Sequence, residues 1–261
     1  MLESGRVSRA PAAIVVIPCH NEEQRLDVAA FKAFTAEQSN VSFVLVDDGS
    51  KDGTRGVIEG LVRHAPTRFQ LVALDVNQGK AEAVRQGILA AIDGKPSPPD
   101  FVGFWDADLS TPLEEISEFV SLLEEKPEVD IIYGARVMVM GRTIERSPFR
   151  HYAGRVYATA ASNVLRLPVY DTQCGAKMFR VTDTLSRVFG ERFIVNWTFD
   201  VEILARFITM QPEGESYVRR ALYELPLQRW IEVAGSKVRP SDFGRGLRDL
   251  WRIHHRYLRG R

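Results

Sequence analysis

The sequence predicts a single α/β domain in which a mostly parallel central sheet carries helices on both faces. Short apolar runs rich in Val and Ile alternate with segments of helical periodicity through the first half of the chain, as in folds built from repeated β–α units. The 261 residues are 45% hydrophobic and 26% charged, which is the balance of an ordinary globular protein. The longest apolar run, at residues 12–18, is far shorter than the roughly 20 residues that span a bilayer.

The first half of the chain supplies the sheet and its covering helices. Runs rich in Val, Ile and Phe predict buried strands, and apolar residues spaced three and four apart predict the helices between them. The predicted strands are Ala12–Pro18, Val41–Val46, Phe69–Leu74, Phe101–Trp105 and Val129–Tyr133. The predicted helices are Glu22–Gln38, Thr54–His64, Lys80–Ile92 and one that begins at Thr111, where Thr111 and Glu114 form a capping box around Pro112.

After about residue 140 the alternation is less regular. Helical spacing predicts helices over Tyr152–Leu165, Phe199–Met210 and Ser241–Leu258, whereas Tyr217–Leu227 is typical of a strand. We therefore divide the chain into three parts. These are a flexible N-terminus over residues 1–11, one α/β domain over residues 12–240 and a basic amphipathic helix over residues 241–261.

The residues that follow the predicted strands carry the candidate chemistry, because ligands of open parallel sheets bind beyond the carboxyl ends of the strands. Three polar stretches lie at such ends, at residues 18–22, 47–50 and 106–108. Lys80, at the start of a helix, either faces a phosphate together with the helix N-terminus or is a plain surface lysine. Neither GxGxxG after the first strand nor GxxxxGK[ST] is present, so a dinucleotide or P-loop site is not supported.

Asp106 and Asp108 follow a buried strand with one residue between them. Alternation along an extended backbone places both carboxylates on one side. Two carboxylates suit a hard cation such as Mg²⁺, which is commonly held by one or two carboxylates and substrate phosphates. The alternative is a pair of carboxylates stabilised by the dipole of the next helix. The adjacent Asp47 and Asp48 allow either a turn with a helix cap or an acceptor for a ribose or base edge.

Eight short motifs, in order along the chain, carry a resemblance to a known family. They are IPCHNEE at 17–23, VDDGSKDGT at 46–54, NQGKAEAVRQGI at 77–88, DADLSTP at 106–112, GAR at 134–136, DTQCGAKMF at 171–179, FDVEIL at 199–204 and GSKV at 235–238. The chain resembles the family 2 inverting glycosyltransferases, which have the GT-A fold, a single Rossmann-like domain. The last three motifs are most similar to those of polyprenyl-phosphate sugar synthases, above all the dolichyl-phosphate β-glucosyltransferases.

The resemblance implies a role for each matching residue. The implied nucleotide-sugar pocket is lined by Pro18, His20, Glu22, Asp48, Lys80 and Asp106. The implied metal, Mg²⁺ or Mn²⁺, is held by Asp106 and Asp108. The implied catalytic residues are Asp200, at the position of the family's catalytic acidic residue, and Arg136 and Lys237, which would meet phosphate groups.

The implied reaction is inverting transfer of a hexose from a nucleotide-diphosphate sugar. UDP-glucose is the favoured donor and GDP-mannose is the next. The favoured acceptor is a polyprenyl or dolichyl phosphate, which is already largely anionic at neutral pH and needs cations to hold it rather than a base. A hydroxyl acceptor is the alternative, and it would need Asp200 as its general base. Asp200 and Glu202 lie two residues apart on a predicted helix, so we expect only one of them in the site.

Charge is unevenly distributed, although the formal net charge is +0. Residues 237–261 hold eight basic and two acidic residues, with Trp251 and Tyr257 among the arginines. This pattern predicts either a helix docked on the domain or a peripheral contact with an anionic membrane. A nucleic-acid partner is not expected, since no supporting motif is present. Cys19 and Cys174 predict reduced thiols and a cytoplasmic location, at the cytoplasmic membrane face if the tail binds lipid.

Overall fold

A computed structural model gives the fold of the chain over residues 12–93, 98–145, 147–233 and 241–260. Two predictions lie outside these described residues. One is the flexible N-terminus over residues 1–11, and the other is the phosphate contact of Lys237. Within the described ranges, no helix has the length and apolar character that crossing a membrane requires.

Strands and helices alternate from residue 13 to residue 135, and their order is mixed beyond that point. The strands are β1 (Ala13–Cys19), β2 (Val41–Asp48), β3 (Phe69–Leu74), β4 (Phe101–Phe104), β5 (Ile131–Ala135), β6 (Thr143–Glu145), β7 (Lys177–Arg180), β8 (Leu222–Pro226) and β9 (Arg229–Ile231). The helices are α1 (Val28–Glu37), α2 (Thr54–His64), α3 (Lys80–Ile92), α4 (Glu115–Glu125), α5 (Pro148–Leu165), α6 (Asp183–Gly190), α7 (Phe199–Met210), α8 (Glu215–Ala221) and α9 (Ser241–Ile253). A π-helical turn, His254–Leu258, continues α9.

Seven strands form the central sheet in the order β3-β2-β1-β4-β7-β5-β8, and β6 pairs with β9 in a separate two-stranded sheet. β7 is antiparallel to both of its neighbours, β4 and β5, whereas the other pairs of the central sheet are parallel. The first residue of β7, Lys177, therefore lies at the edge where its neighbours end, opposite Phe104 and Tyr133. The predicted α/β fold with a mostly parallel sheet is confirmed.

Helices cover both faces of the sheet, because successive residues of a strand point to opposite sides. In strand β1, which lies between β2 and β4, Val16 belongs to a buried cluster with residues of α3 and α7. Val15 and Ile17 belong to a second cluster, which includes Phe31 of α1. Burial on both faces explains why the strands are continuous apolar runs rather than alternating ones. The polar residues of the sheet region are thereby concentrated at the strand ends.

Helix α1 begins later than the predicted start at Glu22. Asp27 is its N-cap, and the carboxylate of Asp27 accepts a hydrogen bond from the backbone N–H of Ala30 at 2.9 Å. The backbone N–H groups of Arg25 and Leu26 donate to the carbonyl of Glu22, which closes a turn before the helix. Glu22 therefore belongs to the loop that follows β1.

The predicted capping box at Thr111 and Glu114 is wrong. Helix α4 begins at Glu115, and its N-cap residue Glu114 makes no side-chain capping hydrogen bond. The carboxylate of Glu115 instead accepts hydrogen bonds from the backbone N–H groups of Gln228 and Arg229, each at 3.0 Å. This acidic residue ties α4 to the start of β9 rather than closing its own helix.

The predicted strand Tyr217–Leu227 is only partly correct, since residues 215–221 form α8 and β8 begins at Leu222. Gly214 precedes the helix with a φ of 58°. Val218 and Ala221, three residues apart, are buried together, which is helical spacing. The short helix packs beside α7 before the chain enters the sheet.

Candidate active site

Two cavities meet at the edge where the parallel strands end. The β1–β2 cavity has a volume of about 310 Å³ and is formed by the ends of β1, β2 and β4 and the start of α3. The α5–α7 cavity has a volume of about 280 Å³ and is walled largely by α5, the start of α7 and the segments after β5 and before β7. The residues that line both cavities are Lys80, Asp106 and Asp108.

Hydrogen bonds between loops shape the β1–β2 cavity. His20 Nδ1 lies 2.8 Å from the backbone oxygen of Asp48. The buried carboxylate of Asp48 accepts hydrogen bonds from the backbone N–H groups of Gln78 at 2.7 Å and Gly79 at 2.9 Å. Gly79 has a φ of 89°, a conformation that favours glycine, and it places Lys80 at the N-terminus of α3. The lining includes Pro18, His20, Glu22, Asp48, Lys80 and Asp106, which are the predicted nucleotide-sugar residues.

Asp106 lies at the junction of the two cavities. Its Oδ1 accepts a hydrogen bond from the ammonium group of Lys80. A Cβ at Gly175 would lie 1.9 Å from Asp106 Oδ2, so glycine is what leaves room for this carboxylate. Burial by itself would raise the pKa of Asp106. The charge and hydrogen bond of Lys80, together with the charges of Lys177 and Arg136, outweigh burial, and the pKa is lowered. Asp106 is therefore an anion at neutral pH.

Asp108 and Asp106 form a donor set for a hard cation. Asp108 Oδ1 accepts a hydrogen bond from the backbone N–H of Ser110 at 3.0 Å, and Asp108 Oδ2 lies 3.8 Å from Arg25 Nη2. Among the described residues, no group of three or more His, Cys, Asp or Glu side chains is placed to hold a metal ion. Two carboxylates suit Mg²⁺ or Mn²⁺ when phosphate oxygens and water complete the coordination. The donor set therefore fits a metal ion that binds together with a phosphate ligand.

Arg136 is held on the wall of the α5–α7 cavity by a bidentate ion pair. Its Nε and Nη2 donate to the two carboxylate oxygens of Asp171 at 2.7 and 2.8 Å. The backbone N–H of Asp171 in turn donates to Glu224 at 2.8 Å. Burial would lower the pKa of Arg136, but Asp171 raises it above its ordinary value. Arg136 is therefore a fixed cation at the cavity wall.

Asp200, in the first turn of α7, is paired with a lysine that the sequence analysis did not single out. Lys177 is fully buried, and its Nζ lies 2.7 Å from Asp200 Oδ1. The same Nζ lies 5.2 and 4.5 Å from the ring centroids of Phe104 and Tyr133. Burial raises the pKa of Asp200, although Lys177 acts in the opposite direction. The Asp200 carboxylate is thus neutralised by an ammonium group at the cavity wall.

Glu202, two residues further along α7, lines neither cavity. It is fully buried and lies 2.8 Å from Arg206 Nη2. Its carboxylate also accepts hydrogen bonds from the backbone N–H of Ile194 at 2.9 Å and from the hydroxyl of Tyr257 at 2.8 Å. These bonds fix the segment before α7. Of the two acidic residues, Asp200 alone faces a cavity, as their spacing predicts.

Sequence reasoning missed Lys177 and the partner role of Asp171. A lysine in the apolar run at residues 176–179 is a signal, because a buried cation needs a partner. The reversed direction of β7, which brings Lys177 to the ligand edge, has no such signal in the sequence. Asp171 belongs to a motif that matched the family, but its pairing with Arg136 depends on tertiary structure.

Comparison with known proteins agrees with this geometry. The model of the family described as "Glycosyl transferase family 2" matches residues 14–185. The dolichyl-phosphate beta-glucosyltransferase of Drosophila melanogaster is 32% identical over 273 residues, which cover 94% of this chain and 75% of that protein.

Solved structures share the fold at low sequence identity. Glucosyl-3-phosphoglycerate synthase from Mycobacterium tuberculosis, in complex with Mn²⁺, UDP and glucosyl-3-phosphoglycerate, has a TM-score of 0.64 and 17% identity, covering 93% of this chain and 78% of that chain. Mannosyltransferase PcManGT from Pyrobaculum calidifontis, in complex with GDP-Man and Mn²⁺, has a TM-score of 0.56 and 17% identity, covering 88% of this chain and 59% of that chain. The family match spans more than half of the sequence, and the chain therefore belongs to glycosyl transferase family 2, as a glycosyltransferase with the GT-A fold.

Proposed function

We propose that this chain transfers glucose from UDP-glucose, with inversion, to a polyprenyl phosphate such as dolichyl phosphate. The relatives named dolichyl-phosphate beta-glucosyltransferase support this sugar and this acceptor. The observation that carries the proposal is the junction at Asp106, where a cavity of strand-end loops meets a cavity whose wall holds the guanidinium groups of Arg136 and Arg155. The nucleotide would occupy the β1–β2 cavity and the acceptor phosphate the α5–α7 cavity. GDP-mannose is the second donor candidate.

In this proposal, Asp106 and Asp108 hold a divalent cation, Mg²⁺ or Mn²⁺. When bound, such a cation neutralises the charge that develops on the departing diphosphate. The related folds solved with Mn²⁺ support this assignment. Lys80 adds a positive charge at the same junction, and it keeps Asp106 ionised because it lowers the pKa of that carboxyl.

The α5–α7 cavity suits an acceptor that is already an anion. Two guanidinium groups, those of Arg136 and Arg155, are on its wall. Arg155 Nη1 donates to the carbonyl of Tyr170 at 2.7 Å, and its guanidinium carbon lies 3.7 Å from the centroid of the Tyr170 ring. A phosphate monoester is largely ionised at neutral pH, so these cations can bind it without a base removing a proton. One of its oxygens then bonds to the anomeric carbon as the bond to the diphosphate breaks.

A hydroxyl acceptor is the second candidate, because Asp200 lines the same cavity and burial raises its pKa. A raised pKa makes a carboxylate a better general base. The nearby Lys177 opposes this role, since its ammonium group stabilises the ionised carboxylate and weakens it as a base. We therefore assign Asp200 to holding Lys177 and orienting the reactants, with the phosphate acceptor as the favoured one.

A transfer assay tests the proposal. Purified chain would be mixed with UDP-glucose labelled in the sugar, Mg²⁺ or Mn²⁺, and a short polyprenyl phosphate in detergent. We expect label to move into the organic phase only when a divalent cation is present, and less label to move from GDP-mannose.

The matched control acceptor is the polyprenol of the same length, which carries a hydroxyl in place of the phosphate. Transfer to the polyprenol but not to its phosphate would contradict the proposal and favour Asp200 as a base. Donor binding detected by calorimetry without any lipid product would also contradict it.

A further inference from the structure

Most of the large apolar side chains that are exposed in the described part of the chain lie in three short segments. Among the described residues, eight large hydrophobic side chains are at least half exposed, and seven of them belong to three segments. The segments are residues 138–140, the pair Tyr152 and Val156 on α5, and the pair Leu247 and Trp251 on α9. The eighth, Val76, lies in the loop between β3 and α3. Single exposed apolar residues are ordinary, but a concentration of them indicates an interaction surface.

Each of these segments adjoins the α5–α7 cavity. Residues 138–140 closely follow Arg136, which lines the cavity. Helix α5 supplies several lining residues, among them Arg155 and Tyr157. Helix α9 backs directly onto the cavity wall, because a Cβ at Gly246 would lie 2.6 Å from the ring of Trp197 and 3.0 Å from that of Tyr157. The exposed apolar groups are therefore carried by segments that connect to the wall of the compartment that we assign to the acceptor.

One face of helix α9 packs against the domain, and the other face is exposed. Asp249, Leu250 and Ile253 are buried against the domain, and α9 packs on α5 and α7. Leu247 and Trp251 are four residues apart and so lie on the same side of the exposed face. The remaining exposed positions of α9 and the turn that follows include five arginines, at 245, 248, 252, 256 and 259.

We propose that the seven exposed apolar side chains and these five arginines form a membrane-binding surface for an anionic lipid bilayer. Leu and Trp beside arginines are the composition of a helix that lies in the plane of a membrane interface, with Trp and Tyr at headgroup level. Five arginines against two acidic residues, Asp242 and Asp249, give this segment a positive charge that complements anionic headgroups. The same charge opposes the pairing of two copies through this face, since like charges would meet.

The inference rests on the proposed function in one respect. A polyprenyl phosphate resides in a bilayer, and a surface around the acceptor cavity would let the phosphate enter without the prenyl chain leaving the lipid. The sequence left a docked helix and a membrane contact as alternatives. In this proposal both hold, because one face of α9 docks on the domain and the other contacts the membrane.

Vesicle flotation tests the surface without any substrate. The full chain would be mixed with phosphatidylcholine vesicles with or without phosphatidylserine. We expect flotation with the vesicles that contain phosphatidylserine, and a decrease in binding as salt is added, because salt screens headgroup charge. The double variant Leu247→Ser/Trp251→Ser should lower the vesicle partition coefficient by at least about tenfold. The matched control is Val76→Ser, an equally exposed apolar position away from the three segments, and it should float like the parent chain.

Charge reversal supplies a second pair of variants. Arg248→Glu/Arg256→Glu should lower binding to phosphatidylserine vesicles by at least about tenfold, since each arginine near an anionic surface contributes to binding. Lys32→Glu/Arg63→Glu, with the same charge change on α1 and α2, should have little effect. Circular dichroism and thermal melting would show that all variants are folded.

Three results would overturn the proposal. They are no flotation with phosphatidylserine vesicles, equal flotation of the surface variants and their controls, or self-association of the parent chain that the Leu247→Ser/Trp251→Ser variant abolishes. Transfer in detergent separates this proposal from the proposed function. Transfer without vesicle binding would refute the surface alone, whereas vesicle binding without transfer would refute the proposed function and leave the surface.

Discussion

The carboxylates of the two cavities are held by different kinds of partner. In the β1–β2 cavity, Asp48 is held by backbone N–H groups. Asp108 accepts a bond from the backbone of Ser110 at 3.0 Å, and its contact with the guanidinium of Arg25 is longer, at 3.8 Å. In the α5–α7 cavity, Asp171 and Asp200 are held by the charged side chains of Arg136 and Lys177. A backbone N–H fixes a carboxylate without cancelling its charge, whereas a buried cation cancels it.

This difference indicates which carboxylates are available to a ligand. The carboxylate of Asp108 is available to a metal ion. The charge of Asp106 at the junction is only partly neutralised, since the contact with Lys80 is made by one of its two oxygens, Oδ1. Asp200 is already neutralised in a buried pair. We therefore expect a metal ion to bind in the β1–β2 cavity and guanidinium groups to bind an anion in the α5–α7 cavity. Variants of Asp108, Lys177, Asp200 and Lys80 test this difference between the two cavities.

Removing the charge of Asp108 should have the largest effect. Asp108→Asn keeps the size of the side chain but weakens a hard-cation site, so we expect transfer to fall by roughly three orders of magnitude. The unfolding midpoint should change little, because the ion pair of Asp108 with Arg25 is long, at 3.8 Å, and partly exposed. Initial rates across a series of Mn²⁺ concentrations measure the effect, with Asp93→Asn at an exposed position as the control. Near-normal rates at all Mn²⁺ concentrations would contradict metal binding in the β1–β2 cavity.

Breaking the ion pair between Lys177 and Asp200 in the α5–α7 cavity should mainly lower the stability of the fold. Lys177→Met leaves Asp200 buried without its cation, and such losses cost about 3–5 kcal/mol in the free energy of unfolding. The raised pKa of Asp200 lets it take up a proton instead, so we expect the lower end of that range. Urea unfolding at neutral pH measures the loss. The double variant Lys177→Met/Asp200→Asn should recover part of the stability, and its failure to do so would contradict the pairing as the cause.

The sequence predicted the β1–β2 cavity more completely than its neighbour, for a physical reason. Its residues follow parallel strands, and an apolar run that ends in polar residues marks both the strand and its ligand edge. His20, Asp48 and Asp106 could therefore be located before the fold was known. The later start of α1 depended on a cap at Asp27, which periodicity alone does not reveal.

The α5–α7 cavity depends on contacts between distant segments. The direction of β7 is set by its place between β4 and β5, and this tertiary arrangement brings Lys177 to Asp200. The resemblance pointed to Arg136 and Asp200, but not to the buried partners that set their charge. The motifs contain all four residues, but the resemblance implied a role for only one residue of each ion pair.

The transfer activity of the Asp200→Asn variant distinguishes an orienting role of Asp200 from a role as general base. If Asp200 only orients its neighbours, we expect transfer to a polyprenyl phosphate to fall by less than about tenfold, with the shape of the pH profile unchanged. A general base would instead account for a factor of about 10²–10⁴. In that case kcat/KM of the parent chain would rise with pH through the raised pKa of Asp200, and the rise would vanish in the variant. Rates are to be measured over a pH series below the melting temperature of each protein, with Asp93→Asn as the control.

Lys80→Gln tests the junction and has the smallest expected effect. Burial raises the pKa of Asp106, but Lys80, with smaller contributions from Lys177 and Arg136, outweighs burial, so the pKa is lowered in the folded state. The stabilisation from this shift is present above the ordinary pKa of an aspartate and is lost as the pH falls through the lowered value. The side chains of Lys80 and Asp106 are 42% and 37% exposed, so the variant should lose less than about 1 kcal/mol at neutral pH.

The loss in the Lys80→Gln variant should also shrink at acidic pH, since protonated Asp106 no longer attracts Lys80. Urea unfolding at several pH values measures this trend, with Lys51→Gln at an exposed loop position as the control. A difference that is constant with pH, or that grows as the pH falls, would mean that Lys80 stabilises the protein through packing rather than through charge. The charge of Asp106 would then not depend on Lys80, and Asp106 would resemble the carboxylates of the β1–β2 cavity rather than the ion-paired carboxylates of the α5–α7 cavity.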